Sequence, residues 1–113
     1  PNSVYSKDAK KKIIIANDQI AAKEMDIGRY YQEKNRHLAA IERFKVVVND
    51  YNTTAQTPEA LYRLTESYLS LGIITEAKKT TAVLSYNFKE SNWYKLSYDL
   101  FKKYGYKKNG KKG

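Results

Sequence analysis

Apolar residues recur along the first third of the chain at the spacing of a helix. Between residues 8 and 34 there is no proline, and Gly28 is the only glycine. Intervals close to 3.6 residues place apolar positions on one side of a helix. The stretch therefore predicts one long helix, or two helices that merge, with apolar positions at Ile13, Ala16, Ile20, Ile27 and Tyr31.

A second amphipathic helix follows, with apolar residues at steps of three, three, four and three: Leu38, Ile41, Phe44, Val48 and Tyr51. Asn35 lies between the two helices, and asparagine tolerates the positive φ of a left-handed turn better than most residues. The run Val46-Val47-Val48 favours a strand by itself. Because its flanks keep the helical spacing, we predict a helix here.

Three further helices are indicated by the residues at their ends. Thr57 is predicted as an N-cap, with Pro58 at the first helical position, and Gly72 is predicted to end that helix. A fourth helix is expected at about residues 75–86, and Ser91 is predicted to cap a fifth. Their apolar stripes are Leu61, Leu64, Tyr68 and Leu71 in the third helix, and Trp93, Leu96, Leu100 and Tyr104 in the fifth.

These elements predict an all-α fold, because no stretch alternates with period two for long enough to build a sheet. The 113 residues suffice for one compact domain. Cysteine is absent and His37 is the only histidine, which excludes thiolate and multi-histidine metal sites within this chain. We expect no cofactor, no metal and no enzymatic activity, since the sequence has no glycine-rich phosphate loop and its helical carboxylates have no partner base.

The helix pairs repeat at an interval of 37 residues. Tyr31 aligns with Tyr68 and Ala40 with Ala77, a pattern similar to the tetratricopeptide repeat, whose period is about 34 residues. Small residues are expected where two helices cross closely, and large ones in the gaps beside the crossing. The structural repeat positions are Gly28, Tyr31, Ala40, Phe44, Leu64, Tyr68 and Ala77. The second copy departs from the pattern at two positions: Thr65 stands where a small residue is expected, and Thr81 stands where the first copy has Phe44.

This alignment predicts a repeat domain over residues 1–104, with repeats at about 21–54 and 58–91 and a capping helix at about 92–104. The helix before residue 21 is expected to belong to a preceding repeat, and a chain that opens at Pro1 without Met is expected to be a fragment. Residues 105–113 are expected to form a disordered basic tail. The formal net charge is +9, and the six lysines from Lys102 onward leave +3 for the body.

Connected phrases in this order resemble the BamD (ComL) family of outer-membrane protein assembly lipoproteins, in its C-terminal tetratricopeptide-repeat half. The resemblance covers about residues 1–101. The phrases are Pro1-Asn2-Ser3-Val4-Tyr5 with Asp8-Ala9, Gly28-Arg29-Tyr30-Tyr31, residues 39–51, Glu59-Ala60-Leu61-Tyr62-Arg63-Leu64, Tyr68-Leu69, Leu71-Gly72 and Ser91-Asn92-Trp93-Tyr94.

The resemblance implies a non-enzymatic scaffold on the periplasmic side of the outer membrane. Its expected partners are the POTRA region of the barrel-assembly subunit and accessory lipoproteins, which it would hold during the folding and insertion of outer-membrane proteins. A lipid anchor is implied for the parent protein and is absent from this sequence. No nucleic-acid partner is expected, because Tyr31, Tyr51 and Tyr68 are needed for packing and much of the excess charge lies in the tail.

In the repeat geometry, side chains one turn away from the core stripe of each first helix are expected to line a concave partner-binding face. Arg29 with Glu33, and Arg63 with Glu66, are alternatively solvated pairs within one helix. Tyr51 and Asn52, in the loop between the repeats, form a second candidate surface. The candidate partner-binding residues are Met25, Arg29, Gln32, Glu33, Tyr51, Asn52, Glu59, Tyr62, Arg63 and Glu66.

Two other functions stay open at this point. One is another periplasmic tetratricopeptide adaptor, of the type of the coordinator associated with the Tol–Pal system. The other is a generic peptide-binding repeat module, for which a basic clamp is expected. The sequence shows no such clamp, because Arg29 and Arg63 are accompanied by acidic residues.

Overall fold

The computed structural model describes residues 7–105, which form five α-helices and no strand. The helices are α1 (Lys7–Glu33), α2 (His37–Asp50), α3 (Thr57–Ser70), α4 (Ile74–Asn87) and α5 (Asn92–Lys103). The all-α prediction is confirmed, and the first helical stretch is a single helix of 27 residues. The part of the predicted basic tail that follows residue 105 lies outside the described residues.

The predicted turn residues adopt the expected conformations. Asn35 has φ 60° and Gly72 has φ 77°, so each lies in the left-handed region directly after a first helix of a pair. Ser91 caps α5, since its side chain accepts a hydrogen bond from the Trp93 amide at 3.1 Å. The valine run lies within α2, where Val47 is fully buried. Burial of this face outweighs the preference of valine for strands.

The predicted N-cap of α3 is wrong by one position. Gln56 occupies the cap, and Thr57 is the first residue of the helix. The Thr57 hydroxyl donates to the Tyr51 carbonyl at 3.2 Å instead of accepting from an amide of the first turn. This hydrogen bond links the start of α3 to Tyr51, the residue that directly follows α2.

The crossing of α1 and α2 depends on the absence of a side chain at Gly28. The ring of Phe44 is fully buried and lies directly over Gly28, so that a β-carbon there would overlap three ring atoms. Tyr31 packs against the same core, in which Ala40 and Val47 are fully buried. The prediction of a small residue at this crossing with large ones beside it is confirmed.

The equivalent crossing in the second pair is packed differently. Thr65 is fully buried where the first pair has glycine, and Thr81 stands where the first pair has Phe44. The Thr65 hydroxyl donates to the Leu61 carbonyl at 2.9 Å, and lies 2.7 Å from the Thr80 hydroxyl and 3.4 Å from that of Thr81. A hydrogen-bonded hydroxyl cluster therefore replaces the glycine and phenylalanine contact.

The first half of α1 stands apart from this core. The buried residues of the helix begin at Ala21 and continue with Met25 and Gly28. Ile13 and Ile20, predicted on the apolar stripe, are exposed, as are Ile14 and Ile15. The preceding repeat that would cover them remains a prediction.

We predict that Gly28→Ala destabilises the fold by about 1–3 kcal/mol, the usual cost of overpacking, although alanine is the better helix former by up to about 1 kcal/mol. Combining it with Phe44→Leu should cost less than the sum of the two single changes, because the smaller side chain makes room for the methyl group. Urea unfolding followed by circular dichroism measures all three variants. A Gly28→Ala protein as stable as the parent would contradict the proposed contact.

Candidate functional site

Side chains of α1, α3 and α5 meet along one strip of the surface. Because α3 contacts both α1 and α5, residues far apart in sequence come together there. We call this group the strip; its members are Arg29 and Gln32 from α1, Glu59, Tyr62, Arg63 and Glu66 from α3, and Trp93 from α5.

The strip is connected by ion pairs in which one carboxylate oxygen serves two arginines. Glu59 Oε2 accepts from Arg29 Nη1 at 2.9 Å and from Arg63 Nε at 3.1 Å. Each arginine also holds a second carboxylate, Asp26 at 2.6 Å from Arg29 Nη2 and Glu66 at 3.1 Å from Arg63 Nη1. An exposed ion pair contributes little stability by itself, whereas a network with good geometry fixes the positions of its side chains.

Hydrogen bonds continue the network toward the C-terminal end of α3. Gln32 Nε2 donates to the Arg63 carbonyl at 3.0 Å and to the Ser67 hydroxyl at 2.9 Å. His37 Nδ1 lies 2.9 Å from the same hydroxyl. The only histidine of the chain thus joins the start of α2 to α3.

Two aromatic rings form the α5 side of the strip. Tyr62 and Trp93 lie 5.2 Å apart between ring centroids with their planes at 41°. The Arg63 guanidinium carbon lies 5.4 Å from the Tyr62 centroid and 5.8 Å from that of Trp93. The Tyr62 hydroxyl donates to Glu66 at 3.2 Å. Aromatic packing, cation–π contact and the ion pairs together hold Arg63 in one orientation.

This environment shifts the ionisation of its members. Burial, with the negative charge of Glu66 as the next cause, raises the pKa of Tyr62 to about 12. Burial lowers the pKa of Arg63, but its hydrogen bonds and charge interactions with Glu59 and Glu66 outweigh that effect and leave the pKa raised. Tyr68 also has a raised pKa, mainly through burial and then through Glu76 and Glu42.

The structure changes the composition of the predicted binding face. Met25 is fully buried in the core, so its placement on the surface is wrong; it lies one turn before Gly28 on the inner side of α1. Arg29 pairs with Asp26 and Glu59 and not with Glu33, which is exposed. The pair between Arg63 and Glu66 is present.

The two residues of the second candidate surface, Tyr51 and Asn52, differ in their exposure. Tyr51 packs against the core and its carbonyl accepts from the hydroxyls of Thr54 and Thr57. Asn52 is exposed.

Four members of the network, Asp26, His37, Ser67 and Trp93, are not among the partner-binding residues predicted from the sequence. Asp26 and Ser67 carry no motif, and Trp93 was assigned only to the apolar stripe of α5. The partners of Ser67 and Trp93 lie about 30 residues or more away in the sequence. No local sequence pattern therefore predicts these contacts. Within residues 7–105, no group of three His, Asp or Glu side chains is arranged to hold a metal ion, and no helix is both long and apolar enough to cross a membrane.

The architecture defines the chain as a protein of paired helices in tandem repeat with an ordered polar and aromatic strip. The family described as "Outer membrane lipoprotein" (YfiO) matches residues 1–84. The chain belongs to this family, in agreement with the BamD resemblance and not with a Tol–Pal-associated coordinator.

Three similar proteins carry the name "Outer membrane protein assembly factor BamD". That of Rickettsia prowazekii is 51% identical over 104 residues, which is 92% of this chain and 41% of the relative. That of Caulobacter vibrioides is 52% identical over 100 residues, covering 88% of this chain and 33% of the relative. A relative from Neisseria meningitidis serogroup A is 33% identical over 91 residues, with coverage of 80% and 34%. The chain thus spans between a third and about two fifths of the length of these relatives.

We predict that Tyr62 makes the fold less stable at high pH. A group whose pKa is raised on folding keeps its proton in the folded state, so its stabilisation is complete below the ordinary pKa of 10.0 and is lost as the pH rises toward about 12. Between these pH values, the free energy of unfolding should fall more steeply for the parent than for Tyr62→Phe.

The measurement is urea unfolding at a series of pH values. Tyr86→Phe, at a side chain that is 91% exposed, controls for loss of a tyrosine hydroxyl. Equal slopes for the parent and Tyr62→Phe would show that Tyr62 is not held in its neutral form by burial and Glu66.

Proposed function

We propose that this chain is a non-enzymatic scaffold segment of an outer-membrane protein assembly factor, and that the strip docks a protein partner. Family membership and the shared name of the relatives support the assembly role. The observation that carries the docking site is the arrangement of Tyr62, Arg63 and Trp93, which contact one another through their rings and the guanidinium group.

This arrangement suits a binding site for a simple physical reason. Tyr, Trp and Arg are the residue types that contribute most energy at protein interfaces. Side chains held by ion pairs and aromatic packing lose little conformational freedom on binding, so less of the contact energy is offset by entropy. Glu59 provides this order by holding both arginines.

The charge of the strip favours a folded protein surface over the acidic end of a peptide. The strip and its neighbours Asp26 and Glu33 carry four carboxylates against two arginines, and both arginines are already paired. A partner that places neutral, aromatic or basic groups here fits this charge, whereas an extra carboxylate meets repulsion. A generic basic peptide clamp is therefore disfavoured.

We infer the partners and the location of the chain from its family. We place the chain at the periplasmic face of the outer membrane, with the parent protein held by a lipid anchor. The POTRA region of the barrel-assembly subunit is the expected occupant of the strip, and accessory lipoproteins are expected to bind the same chain. The stack of paired helices offers the extended surface that repeat proteins use for such assemblies.

We expect the immobilised chain to retain the barrel-assembly subunit from detergent-solubilised envelopes at ~150 mM salt, at which exposed charge pairs are well screened. Tyr62→Ala should weaken binding of the purified POTRA region at least about tenfold, as expected for the loss of an interface anchor. Titration calorimetry measures the affinity, and circular dichroism checks that the variant is folded.

Tyr86→Ala is the matched control, since Tyr86 is also a tyrosine on a helix but lies on α4, away from the strip. It should bind as the parent does. Equal losses in the two variants would exclude the strip as the docking site. Failure of the parent chain to bind the subunit would exclude the proposed partner.

A further inference from the structure

Three left-handed turns lie at the same end of the helix stack. They follow the C-terminal ends of α1, α3 and α5, and their left-handed residues are Asn35 with φ 60°, Gly72 with φ 77° and Gly105 with φ 84°. We call them the first, second and third tip, comprising residues 34–36, 71–73 and 102–105. Since α3 contacts both α1 and α5, the tips form one continuous edge.

Side-chain contacts tie neighbouring tips together. Gln32 and His37, on either side of the first tip, both reach the Ser67 hydroxyl near the end of α3. Ser70, directly before the second tip, has its hydroxyl 2.9 Å from the Tyr104 hydroxyl of the third. The edge is therefore a connected surface and not three independent loops.

The chemistry of the tips alternates along this edge. The first tip carries Lys34 and Arg36, and the third carries Lys102 and Lys103; all four side chains are exposed. The second tip carries Leu71 and Ile73, which are 41% and 37% exposed. An exposed apolar turn thus lies between two basic ones.

Each basic tip also has an exposed tyrosine beneath a lysine. Lys34 Nζ lies 5.6 Å from the ring centroid of Tyr30, and Lys102 Nζ lies 5.7 Å from that of Tyr98. Both tyrosines are exposed. Tyrosine is enriched at the boundary between water and lipid, where its ring lies among the headgroups.

The opposite edge of the stack has a different character. Its two loops, residues 51–56 and 88–91, hold Lys89 and Glu90 and border on Asp18 and Asp50. It therefore carries one cation against three acids. At the tip edge the adjoining acids are Glu33 and Glu76, of which Glu76 pairs with Lys79, against the four cations of the tips. The two edges of the packed helices thus differ in charge, and α1 continues past the acidic edge with the exposed lysines Lys7, Lys10, Lys11 and Lys12.

We propose that the tip edge binds the surface of a bilayer containing anionic phospholipid. The four cations would lie at the level of the phosphates, and Leu71 and Ile73 would enter the apolar boundary below them. Basic residues near an anionic leaflet each add to its attraction, and exposed apolar residues add burial in the interface. A soluble phosphate matches the cations alone and leaves the apolar tip without a partner.

This surface is separate from the strip, so a protein partner and the bilayer do not compete for the same side chains. The strip uses the sides of α1, α3 and α5, whereas the edge uses the turns that follow them together with Lys102 and Lys103, the last two residues of α5. The family description as an outer membrane lipoprotein agrees with a position beside a bilayer.

Sedimentation of the full chain with vesicles tests the proposal. We expect binding to phosphatidylcholine vesicles that contain phosphatidylglycerol, little binding to phosphatidylcholine alone, and weaker binding as salt increases. Lys34→Gln/Arg36→Gln and Lys102→Gln/Lys103→Gln should each lower partitioning about 25-fold, at about fivefold for each cation removed. Leu71→Ser/Ile73→Ser should lower it as well, without a change in charge.

The matched control is Lys23→Gln/Lys45→Gln, which removes two exposed lysines from the middle of α1 and α2. If it weakens binding as much as the tip variants, net charge explains the result and the proposal fails. The sequence adds Lys107, Lys108, Lys111 and Lys112 after the third tip. If replacing these four with glutamine abolishes binding while the tip variants bind normally, the proposal fails too.

A second measurement reports the orientation directly. Because the chain has no cysteine, single cysteines introduced as Ile73→Cys and Tyr86→Cys can carry an environment-sensitive fluorophore. The probe at residue 73 should shift to the blue on adding the anionic vesicles, and the probe at residue 86, near the opposite edge, should not. Equal shifts at both positions would overturn the proposed orientation. Neither experiment involves the POTRA region, so its result is independent of the docking function.

Discussion

The burial of α3 on several sides is the constraint on which the rest of the structure depends. This helix contacts each of the other four, and eight of its fourteen residues are buried. Its hydrophobic core residues, such as Leu61 and Leu64, are buried between helices on both sides. The polar residues that remain, Glu59, Arg63 and Glu66, are confined to one narrow face. The position of the strip is therefore a consequence of how α3 is packed.

The helices cross closely in both pairs, but different side-chain contacts make the two crossings possible. In the first, Gly28 makes room for the ring of Phe44, so shape alone fixes the contact. In the second, Thr65 is buried against the hydroxyls of Thr80 and Thr81, so hydrogen bonds satisfy the polar groups that burial would otherwise penalise. A threonine at position 28 would have no space under the ring of Phe44.

The same three helices serve the strip and the tip edge. Their sides carry the ordered arginines and aromatic rings, and the turns at their C-terminal ends carry the exposed cations and the apolar tip. The tyrosines illustrate this division: Tyr68 is buried in the core, Tyr62 belongs to the strip, and Tyr30 and Tyr98 lie exposed beneath lysines. A high tyrosine content in this chain therefore reflects several separate roles.

The sequence alone determined the helices, the left-handed turns at Asn35 and Gly72, the Ser91 cap and the small residue at Gly28, because each depends on local spacing or on backbone conformation. Only the tertiary structure decided that Met25 is buried while Arg29 reaches the surface, one turn further along the same helix. It also decided that Arg29 pairs with Glu59, thirty residues away, and that Trp93 packs against Tyr62. The physical reason is that helical periodicity indicates which residues share a face, whereas the packing angles between helices determine how far that face is covered and which side chains meet across it.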